Sequence, residues 1–395
     1  MSKTLFYNQG MRCAAENNDI MLLDSSVVMM PNTMFTLRMG LYDSEKNGSA
    51  GCVANCSNNN QEVEEKHESI EDYKKYSVKN NIISENVYEY KSWLNSAALL
   101  IKRSMLIRLG ELDEQFMLTD FSDNDLGLCI LNMGYRNVLC WDSFVFRGGV
   151  SCCFEPDTQR RVTLIQHDCT RFQEKWDMSS YYYSNVRKDL IAFIRHEQSE
   201  HIRVLEIGCG IGATLGKIKY KYPNSEVYGV EIVDKVAKLG ASNFEIICDN
   251  IENNSLPFEE RYFDYIIFGD VLEHLREPET VLLNIKRYLK SGGSIIASIP
   301  NIMNAETIYQ LLHGFFTYEQ SGIRDRTHLR FFTLYEIVNM MERVGYQIKE
   351  IDMSRAQGLT TRDFSEFFDK LLAIEGVAER KYFDALQYLF RAEVI

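Results

Sequence analysis

Short apolar runs alternate with polar, turn-rich stretches through the second half of the chain, and five of them have the length of a buried strand. These runs are Val204–Ile207, the one that ends at Glu231, the one before Asp249, Tyr265–Phe268, and the one before Pro300. Stretches of helical composition separate them. Strands that alternate with helices predict an α/β fold with a parallel, doubly wound sheet. In such a sheet, ligands bind at the carboxyl ends of the strands.

The first run leads into a turn that contains Gly208, Gly210 and Gly212, and then into the start of a helix. Glycine has no Cβ and accepts positive φ, so a ligand can approach bare backbone there. The helix start offers unpaired N–H donors to an electronegative group. Glu206 stands directly before the glycines, where a carboxylate would repel a pyrophosphate but suits a cationic ligand. S-adenosylmethionine, which carries sulfonium and ammonium groups, is such a ligand.

The glycine spacing alone also fits a nicotinamide dinucleotide site, with Ala213 in the third small position and Glu231 for the ribose. The other strand ends favour the first interpretation. Glu231 can accept both ribose hydroxyls, and either Asp249 or Asn250 can meet the adenine amino group. With Asp270 added, polar residues follow four successive strands and are expected at one edge of the sheet.

These motifs resemble those of the class I S-adenosylmethionine-dependent methyltransferases from about Tyr181 to the C-terminus. The resemblance implies that S-adenosylmethionine is the cofactor and that the motif residues hold it, namely Glu206, Gly208, Cys209, Gly210, Gly212, Glu231, Ile232, Asp249, Asn250, Asp270, Val271 and Leu272. The segment YYYSNVRKDL resembles the helix that covers the cofactor in this family, which adds Tyr182 and Arg187. The segments SIPNIMN and GIRDRTHLRFFT are similar to a subgroup associated with polysaccharide or glycoprotein assembly. A sugar or glycan precursor is therefore the expected methyl acceptor.

A sugar hydroxyl is a weak nucleophile, so a nearby base assists its methylation. His328 is the first candidate for this base and His274 the second, with Asp325 available to orient His328. Each histidine also has a structural interpretation: His274 as a partner of a backbone carbonyl, and His328 as part of a salt-bridged lid. If the acceptor is an amine or a carboxylate, both histidines are positional. No metal site is predicted.

The first 155 residues are predicted to form a separate, partial α/β domain, followed by a linker at 156–180 and the methyltransferase domain at 181–395. In the first part, an apolar strand ends at Asp24, and the segment SDNDLGLCI carries Asp123 and Asp125. These stretches resemble the second half of the family-2 glycosyltransferases, which have a GT-A fold. By this resemblance Asp123 takes the place of the acidic base.

The glycosyltransferase pattern is incomplete in this chain. The Asp-x-Asp of the family reads Asp24–Ser25–Ser26, and Arg147 stands where a metal-binding histidine often lies. The opening strands that bind the nucleotide base have no counterpart. We therefore expect this domain to be catalytically inactive, or the chain to be a fragment of a longer gene product. A bifunctional glycosyltransferase and methyltransferase, or a non-catalytic protein that binds a glycan or a partner, are the alternatives.

Charge and composition exclude other classes. The net charge of −13 opposes binding to nucleic acids. No apolar run approaches the ~20 residues that span a bilayer, and the N-terminus lacks the apolar stretch of a signal peptide. Ten cysteines show no metal-ligand spacing and, as free thiols, indicate the cytoplasm. An incomplete sheet would leave an open strand edge, through which an oligomer can form.

Overall fold

The computed structural model describes residues 3–57, 59–148, 158–179, 182–253, 255–354 and 360–395. The chain divides into two compact units. The first unit comprises Met1–Val186, Gly210–Pro223 and Val233–Ile246, and the second comprises Arg187–Cys209, Asn224–Ile232 and Ile247–Ile395. The predicted domain boundary at residue 155 lies outside the described residues.

The first unit is built on a mixed β-sheet that has six strands in the described part of the chain. The strands are β1 (Ile20–Leu23), β2 (Val27–Met29), β3 (Asn47–Ala54), β4 (Tyr88–Lys91), β5 (Ala98–Ile101) and β6 (Arg136–Arg147). Their order is β1-β5-β3-β6-β2, and β4 also pairs with β6. Only the β3–β6 pairing is parallel among those described. The predicted strand before Asp24 is confirmed as β1.

Helices surround this sheet. They are α1 (Lys3–Cys13), α2 (Thr33–Tyr42), α3 (Ile70–Asn80), α4 (Arg103–Leu109), α5 (Thr119–Asn132), α6 (Thr158–Trp176), α8 (Ala213–Lys221) and α9 (Asp234–Gly240). Helix α6 occupies most of the segment predicted as a linker. Its Phe172 and Trp176 are buried in a cluster with Trp93 and with Val236 of α9. This part of the predicted linker is therefore a packed helix. The GT-A-like identity of residues 1–155 stays a prediction.

A second sheet has seven strands within the described residues, in the order β12-β13-β11-β10-β7-β8-β9. The strands are β7 (Arg203–Ile207), β8 (Glu226–Glu231), β9 (Glu245–Cys248), β10 (Phe263–Gly269), β11 (Leu289–Pro300), β12 (Tyr346–Ser354) and β13 (Gln387–Val394). The pairings β7–β8, β7–β10 and β10–β11 are parallel. All five strands predicted from the apolar runs are confirmed. The sheet departs from an all-parallel one at β13, which is antiparallel to both β11 and β12.

The helices of the second unit are α7 (Lys188–Ile191), α10 (Pro278–Ile285), α11 (Ala305–Leu312), α12 (Leu334–Arg343), α13 (Ser365–Leu372) and α14 (Arg380–Asp384). Short 3-10 turns cover Leu272–His274 and Lys286–Tyr288. The core of this unit contains Phe263, Tyr346 and Phe390, each fully buried. It supports a strand order that brings the carboxyl ends of β7, β8 and β10 to one edge.

Two further observations bear on the sequence predictions. Cys56 forms a disulfide bond, so the prediction that the cysteines are free thiols is wrong for this residue. Free thiols are found at Cys13, Cys52, Cys129, Cys140, Cys169, Cys209 and Cys248. Among the described residues, no helix is both long and apolar enough to cross a membrane.

Candidate active site

The turn that follows β7 has a backbone conformation that glycine adopts easily. Gly208, Gly210 and Gly212 have φ angles of +68°, +56° and +86°. The N–H of Gly208 donates to the carbonyl of Val230 at 2.8 Å, which fastens the turn to the end of β8. A Cβ on Gly208 would lie 2.7 Å from Cγ2 of Val271. The predicted glycine turn is therefore confirmed. Residues other than glycine would be strained in this backbone conformation.

Buried carboxylates lie at the ends of the two strands beside this turn. Glu206 on β7 and Glu231 at the end of β8 are each 5% exposed. The parallel register places Ile207 opposite Val230, so the two strands end at the same edge. The N–H of Asp249 donates to the carbonyl of Glu231 at 3.2 Å, which adds the end of β9 to this edge. A carboxylate at the end of β8 can accept hydrogen bonds from ribose hydroxyls.

The alternative between Asp249 and Asn250 as the adenine partner stays open. Oδ1 of Asp249 accepts from the N–H of Asn250 at 2.7 Å and from Nδ2 of Asn253 at 2.9 Å. Oδ1 of Asn250 accepts from the N–H of Glu252 at 3.0 Å. Each side chain thus stabilises the loop after β9 through one oxygen, and either can offer a further polar atom to a ligand.

Asp270, directly after β10, has a φ of +54°, a conformation that is costly for a residue with a Cβ. Ser298 of β11 fixes it from two sides. The N–H of Asp270 donates to Oγ of Ser298 at 3.0 Å, and that hydroxyl donates to Oδ1 of Asp270 at 2.6 Å. The backbone strain and the held carboxylate are typical of a ligand-binding position. The sequence analysis did not identify Ser298, because a serine within an apolar strand does not reveal which residue its hydroxyl will hydrogen-bond.

Arg187 lies against the other oxygen of this carboxylate. Its Nη1 is 2.7 Å from Oδ2 of Asp270, and the guanidinium also bonds Asp189. The pKa of Arg187 is raised: burial opposes the charge, but the charges of Asp270 and Asp189 outweigh that effect. The segment predicted to cover the cofactor is therefore anchored at the end of β10. The backbone of Tyr182 starts a 3-10 turn at Tyr182–Ser184, and its side chain lies outside the described part of the chain.

The remaining predicted cofactor residues differ in exposure. Ile232 is 64% exposed, whereas Cys209 is 6% exposed. Leu272 is fully buried, and its side chain packs in the hydrophobic core. Val271 packs at the edge of the same core.

The structure brings His274 and His328 together, although they lie far apart in the chain. The ring centroids are 4.7 Å apart in an edge-to-face arrangement. Nδ1 of His274 lies 3.2 Å from the carbonyl of Thr327, which confirms the predicted contact with a backbone carbonyl. Nδ1 of His328 lies 3.0 Å from the carbonyl of Ile323. Burial and the neighbouring His328 lower the pKa of His274, which favours the neutral imidazole.

Asp325 contacts the histidine pair indirectly. Its Oδ1 accepts from the N–H and from the hydroxyl of Thr327 at 2.8 and 2.7 Å. Burial opposes its charge, yet these hydrogen bonds lower the pKa of Asp325. The Nδ1 of His328 faces Ile323 rather than Asp325, so the predicted orienting bond is absent from the described contacts. The salt bridges expected of a lid occur next to it, where Arg324 pairs with Glu306 and Glu319.

Glu273 precedes His274 and lies in the segment Asp270 to His274, which the methyltransferase resemblance assigns to the methionine side of the cofactor. It is 1% exposed, and among the described residues neither of its carboxylate oxygens has a hydrogen-bond partner. Burial raises the pKa of Glu273 well above its ordinary value. The only sequence feature that singles out Glu273 is its charge between Leu272 and Leu275, which are both buried.

Comparison with known proteins agrees with this geometry. Residues 178–351 match the family model for a methyltransferase domain. An uncharacterized methyltransferase of Schizosaccharomyces pombe is 33% identical over 116 residues, which are 26% of this chain and 41% of that protein. The malonyl-[acyl-carrier protein] O-methyltransferase of Bacillus cereus is 27% identical over 173 residues, which are 40% of this chain and 62% of that protein. The chain thus spans less than two thirds of the length of both relatives.

Solved structures of methyltransferases also match part of this chain. A SAM-dependent methyltransferase from Archaeoglobus fulgidus is 19% identical, with a TM-score of 0.38, covering 56% of this chain and 98% of that one. The glycine turn and the acids at successive strand ends suit a ligand with a cationic centre, a ribose and an adenine. Residues 178–351 therefore form a methyltransferase domain, and S-adenosylmethionine is its cofactor.

Proposed function

We propose that this protein transfers a methyl group from S-adenosylmethionine to a hydroxyl of a sugar or glycan precursor. The observation that carries the proposal is the position of the His274–His328 pair in the same unit as the acids at the strand ends. S-adenosylmethionine supplies a methyl carbon made electrophilic by the sulfonium. The protein supplies alignment of the acceptor and a group that accepts its proton.

The strand ends bind the cofactor in this proposal. Glu231 accepts hydrogen bonds from the ribose hydroxyls, and Asp249 or Asn250 meets the adenine. Asp270, held by Ser298 and Arg187, lies on the methionine side. Glu206 gives the site the negative potential that suits a sulfonium and an ammonium group.

The histidines are the candidates for the proton acceptor. A neutral imidazole has one N–H and one lone pair. When Nδ1 of each ring donates to a backbone carbonyl, as the contacts with Thr327 and Ile323 indicate, the lone pair is on Nε2. Nε2 of His328 or His274 can then take a hydroxyl proton as the oxygen attacks the methyl carbon.

A cleft in the first unit supports a carbohydrate acceptor. It has a volume of about 410 Å³, and Tyr90, Trp93 and Phe121 are among its lining residues. Asn95 and Asp123 add amide and carboxylate groups, and Oδ2 of Asp123 also accepts from the N–H of Ser96 at 2.9 Å. Flat apolar rings beside polar side chains suit a sugar, which presents C–H faces and hydroxyls.

Glycosyl transfer by this unit is not favoured. Oδ1 of Asp24 accepts from the N–H and the hydroxyl of Ser26 at 2.9 and 2.8 Å. Nε of Arg147 lies 3.4 Å from that hydroxyl, and the N–H of Gly148 donates to the carbonyl of Ser26. A guanidinium therefore lies where the glycosyltransferase resemblance would put a divalent cation, in keeping with a binding role for the unit.

The test is a methyl-transfer assay with S-adenosylmethionine labelled in its methyl group. Sugar nucleotides, mono- and oligosaccharides, malonyl-[acyl-carrier protein] and small amines are offered separately. We expect alkali-stable label, as a methyl ether, on a carbohydrate. At a cofactor concentration below saturation, Glu231→Ala should lower the labelling about tenfold or more, whereas Asp234→Ala, an exposed change nearby, should not. Label found only as an alkali-labile ester on the carrier protein, or only on an amine, would overturn the carbohydrate proposal.

A further inference from the structure

Three potential ligand groups meet beside the turn after β10. The carboxylate of Glu273 and the ring nitrogens of His274 and His328 offer atoms that all lie within 4.8 Å of one another. Glu273 and His274 are consecutive on the 3-10 turn Leu272–His274, and His328 comes from the segment between α11 and α12. The N–H groups of Leu329 and Arg330 donate to the carbonyl of Glu273 at 2.9 and 3.0 Å. These bonds hold the two segments in register.

The carboxylate of Glu273 needs a partner that the described residues do not provide. Both oxygens are inaccessible, and neither makes a hydrogen bond within the described structure. A buried carboxylate without a hydrogen bond is strongly disfavoured, and proteins normally pair such a group or place it on a metal ion. Its position facing the two imidazoles indicates where a compensating positive charge would bind.

The histidines are oriented as metal ligands usually are. The hydroxyl of Thr327 donates to Oδ1 of Asp325 at 2.7 Å, so it can only accept at Nδ1 of His274, 3.2 Å away. The carbonyl of Thr327 is a second acceptor for the same nitrogen. His274 therefore carries its proton on Nδ1, and the contact of His328 with the carbonyl of Ile323 favours the same tautomer. Metal-binding histidines typically donate their other N–H to a carbonyl or carboxylate in this way.

We propose that Glu273, His274 and His328 bind one divalent transition-metal ion. Two imidazole nitrogens and one carboxylate suit zinc, iron(II), cobalt or manganese better than magnesium or calcium, which prefer all-oxygen sites. Three protein ligands leave coordination positions open. With the ion bound, the Nε2 lone pairs of both histidines are used as ligands, so the ion would take over the activation of the acceptor from the imidazoles by Lewis-acid polarisation of its oxygen. That role rests on the proposed methyl transfer, whereas the binding itself does not. The site differs from the sequence-based expectation of no metal.

Metal binding can be tested without any methyl acceptor. The full-length protein is freed of metal with a chelator and titrated with cobalt(II), followed by its visible absorption, and with zinc, followed by calorimetry. We expect one ion per chain. His328→Gln, His274→Gln and Glu273→Gln should each weaken zinc binding at least tenfold. His313→Gln is the matched control and should bind normally; His313 directly follows α11, and its Nδ1 is bonded to the carbonyl of Tyr309.

Glu273→Gln keeps the volume of the side chain, and circular dichroism with thermal melting verifies that each variant is folded. Absence of stoichiometric binding by the wild-type chain, or equal affinity in wild type and the folded His274→Gln/His328→Gln double variant, would overturn the proposal. Calorimetry with S-adenosylhomocysteine on the metal-free protein is run in parallel. A chain that binds this nucleoside but no metal refutes the metal site alone, and one that binds metal but methylates no carbohydrate refutes the proposed acceptor alone.

Discussion

Arg187 and Asp270 form an ion pair of 2.7 Å between the segment that precedes α7 and the strained residue after β10. The Arg187 side chain is 11% exposed, so this contact is shielded from solvent more than most surface pairs. Asp270 is also held by Ser298, and the guanidinium consequently meets a carboxylate of fixed orientation. The pair links the segment predicted to cover the cofactor to the edge of the sheet where the cofactor is predicted to bind.

We therefore expect Arg187→Ala to weaken the binding of S-adenosylhomocysteine by about tenfold, since a hydrogen-bonded charge pair contributes roughly 1.5–3 kcal/mol. Isothermal titration calorimetry measures this. Arg343→Ala, which removes an exposed ion pair with Glu279 on α10, is the control and should leave the affinity unchanged. A gain of affinity in Arg187→Ala would mean that the ion pair competes with the cofactor, contrary to the anchoring role.

Glu231→Ala should weaken nucleoside binding more strongly, by tenfold to about a hundredfold, because a charged acceptor of two ribose hydroxyls is lost. The discriminating measurement is a comparison of S-adenosylhomocysteine with its 2′-deoxy analogue. Wild type should bind the deoxy analogue less well than the parent, and the Glu231→Ala variant should discriminate little between them. Undiminished discrimination in the variant would show that another group holds the ribose.

Gly216 of α8 is tightly enclosed, because a Cβ there would lie 2.5 Å from the carbonyl oxygen of Tyr90. Gly216→Ala should thus destabilise the protein by about 1–3 kcal/mol, the usual range for overpacking, despite the better helix propensity of alanine. Gly10 of α1 has no atom within 4 Å of its Cβ position. Gly10→Ala should be neutral or stabilise by up to about 1 kcal/mol. The unfolding free energy of both variants is measured by urea denaturation. Equal changes in Gly216→Ala and Gly10→Ala would contradict the expectation.

Asp142 on β6 gives a pH-dependent prediction. Burial raises its pKa to about 6, and its Oδ2 lacks a hydrogen-bond partner among the described residues. The native state then binds a proton more tightly than the unfolded state, so stability falls as pH rises through the interval from about 4 to 6. Above pH 6 the buried carboxylate is charged, and the stability is lowered by the full cost of that charge. Asp142→Asn should consequently stabilise the protein at pH 7 by about 1–2 kcal/mol and have little effect near pH 4.

The measurement is the difference in unfolding free energy between wild type and Asp142→Asn across this pH range. Asp72→Asn is the control, because hydrogen bonds from Lys75 and Ser69 lower the pKa of the exposed Asp72. It should not stabilise the protein at pH 7. A difference for Asp142→Asn that does not vary with pH would show that the carboxylate does not titrate there.

The edge of the sheet at which the cofactor is predicted to bind could be recognised from the sequence, because the motifs that mark it are local. Gly208 needs positive φ, and Glu231 follows an apolar run directly, so turn and strand end are encoded within a few residues of each. The alternation of strands and helices then places successive strand ends at one edge. The sequence analysis predicts a linker at 156–180, but α6 occupies most of this segment and buries Phe172 and Trp176.

The strands from β7 to β11, the methyltransferase-type α/β fold and the cofactor follow from the sequence alone, because hydrophobic periodicity and glycine positions act over short distances. Three contacts became visible in the folded protein alone: His274 and His328 are neighbours, Glu273 faces them, and Ser298 holds Asp270. These contacts join residues far apart in the chain, and their geometry depends on how the connecting segments pack. A single sequence shows which residue types are present, but it does not show which buried carboxylate lies next to which imidazole.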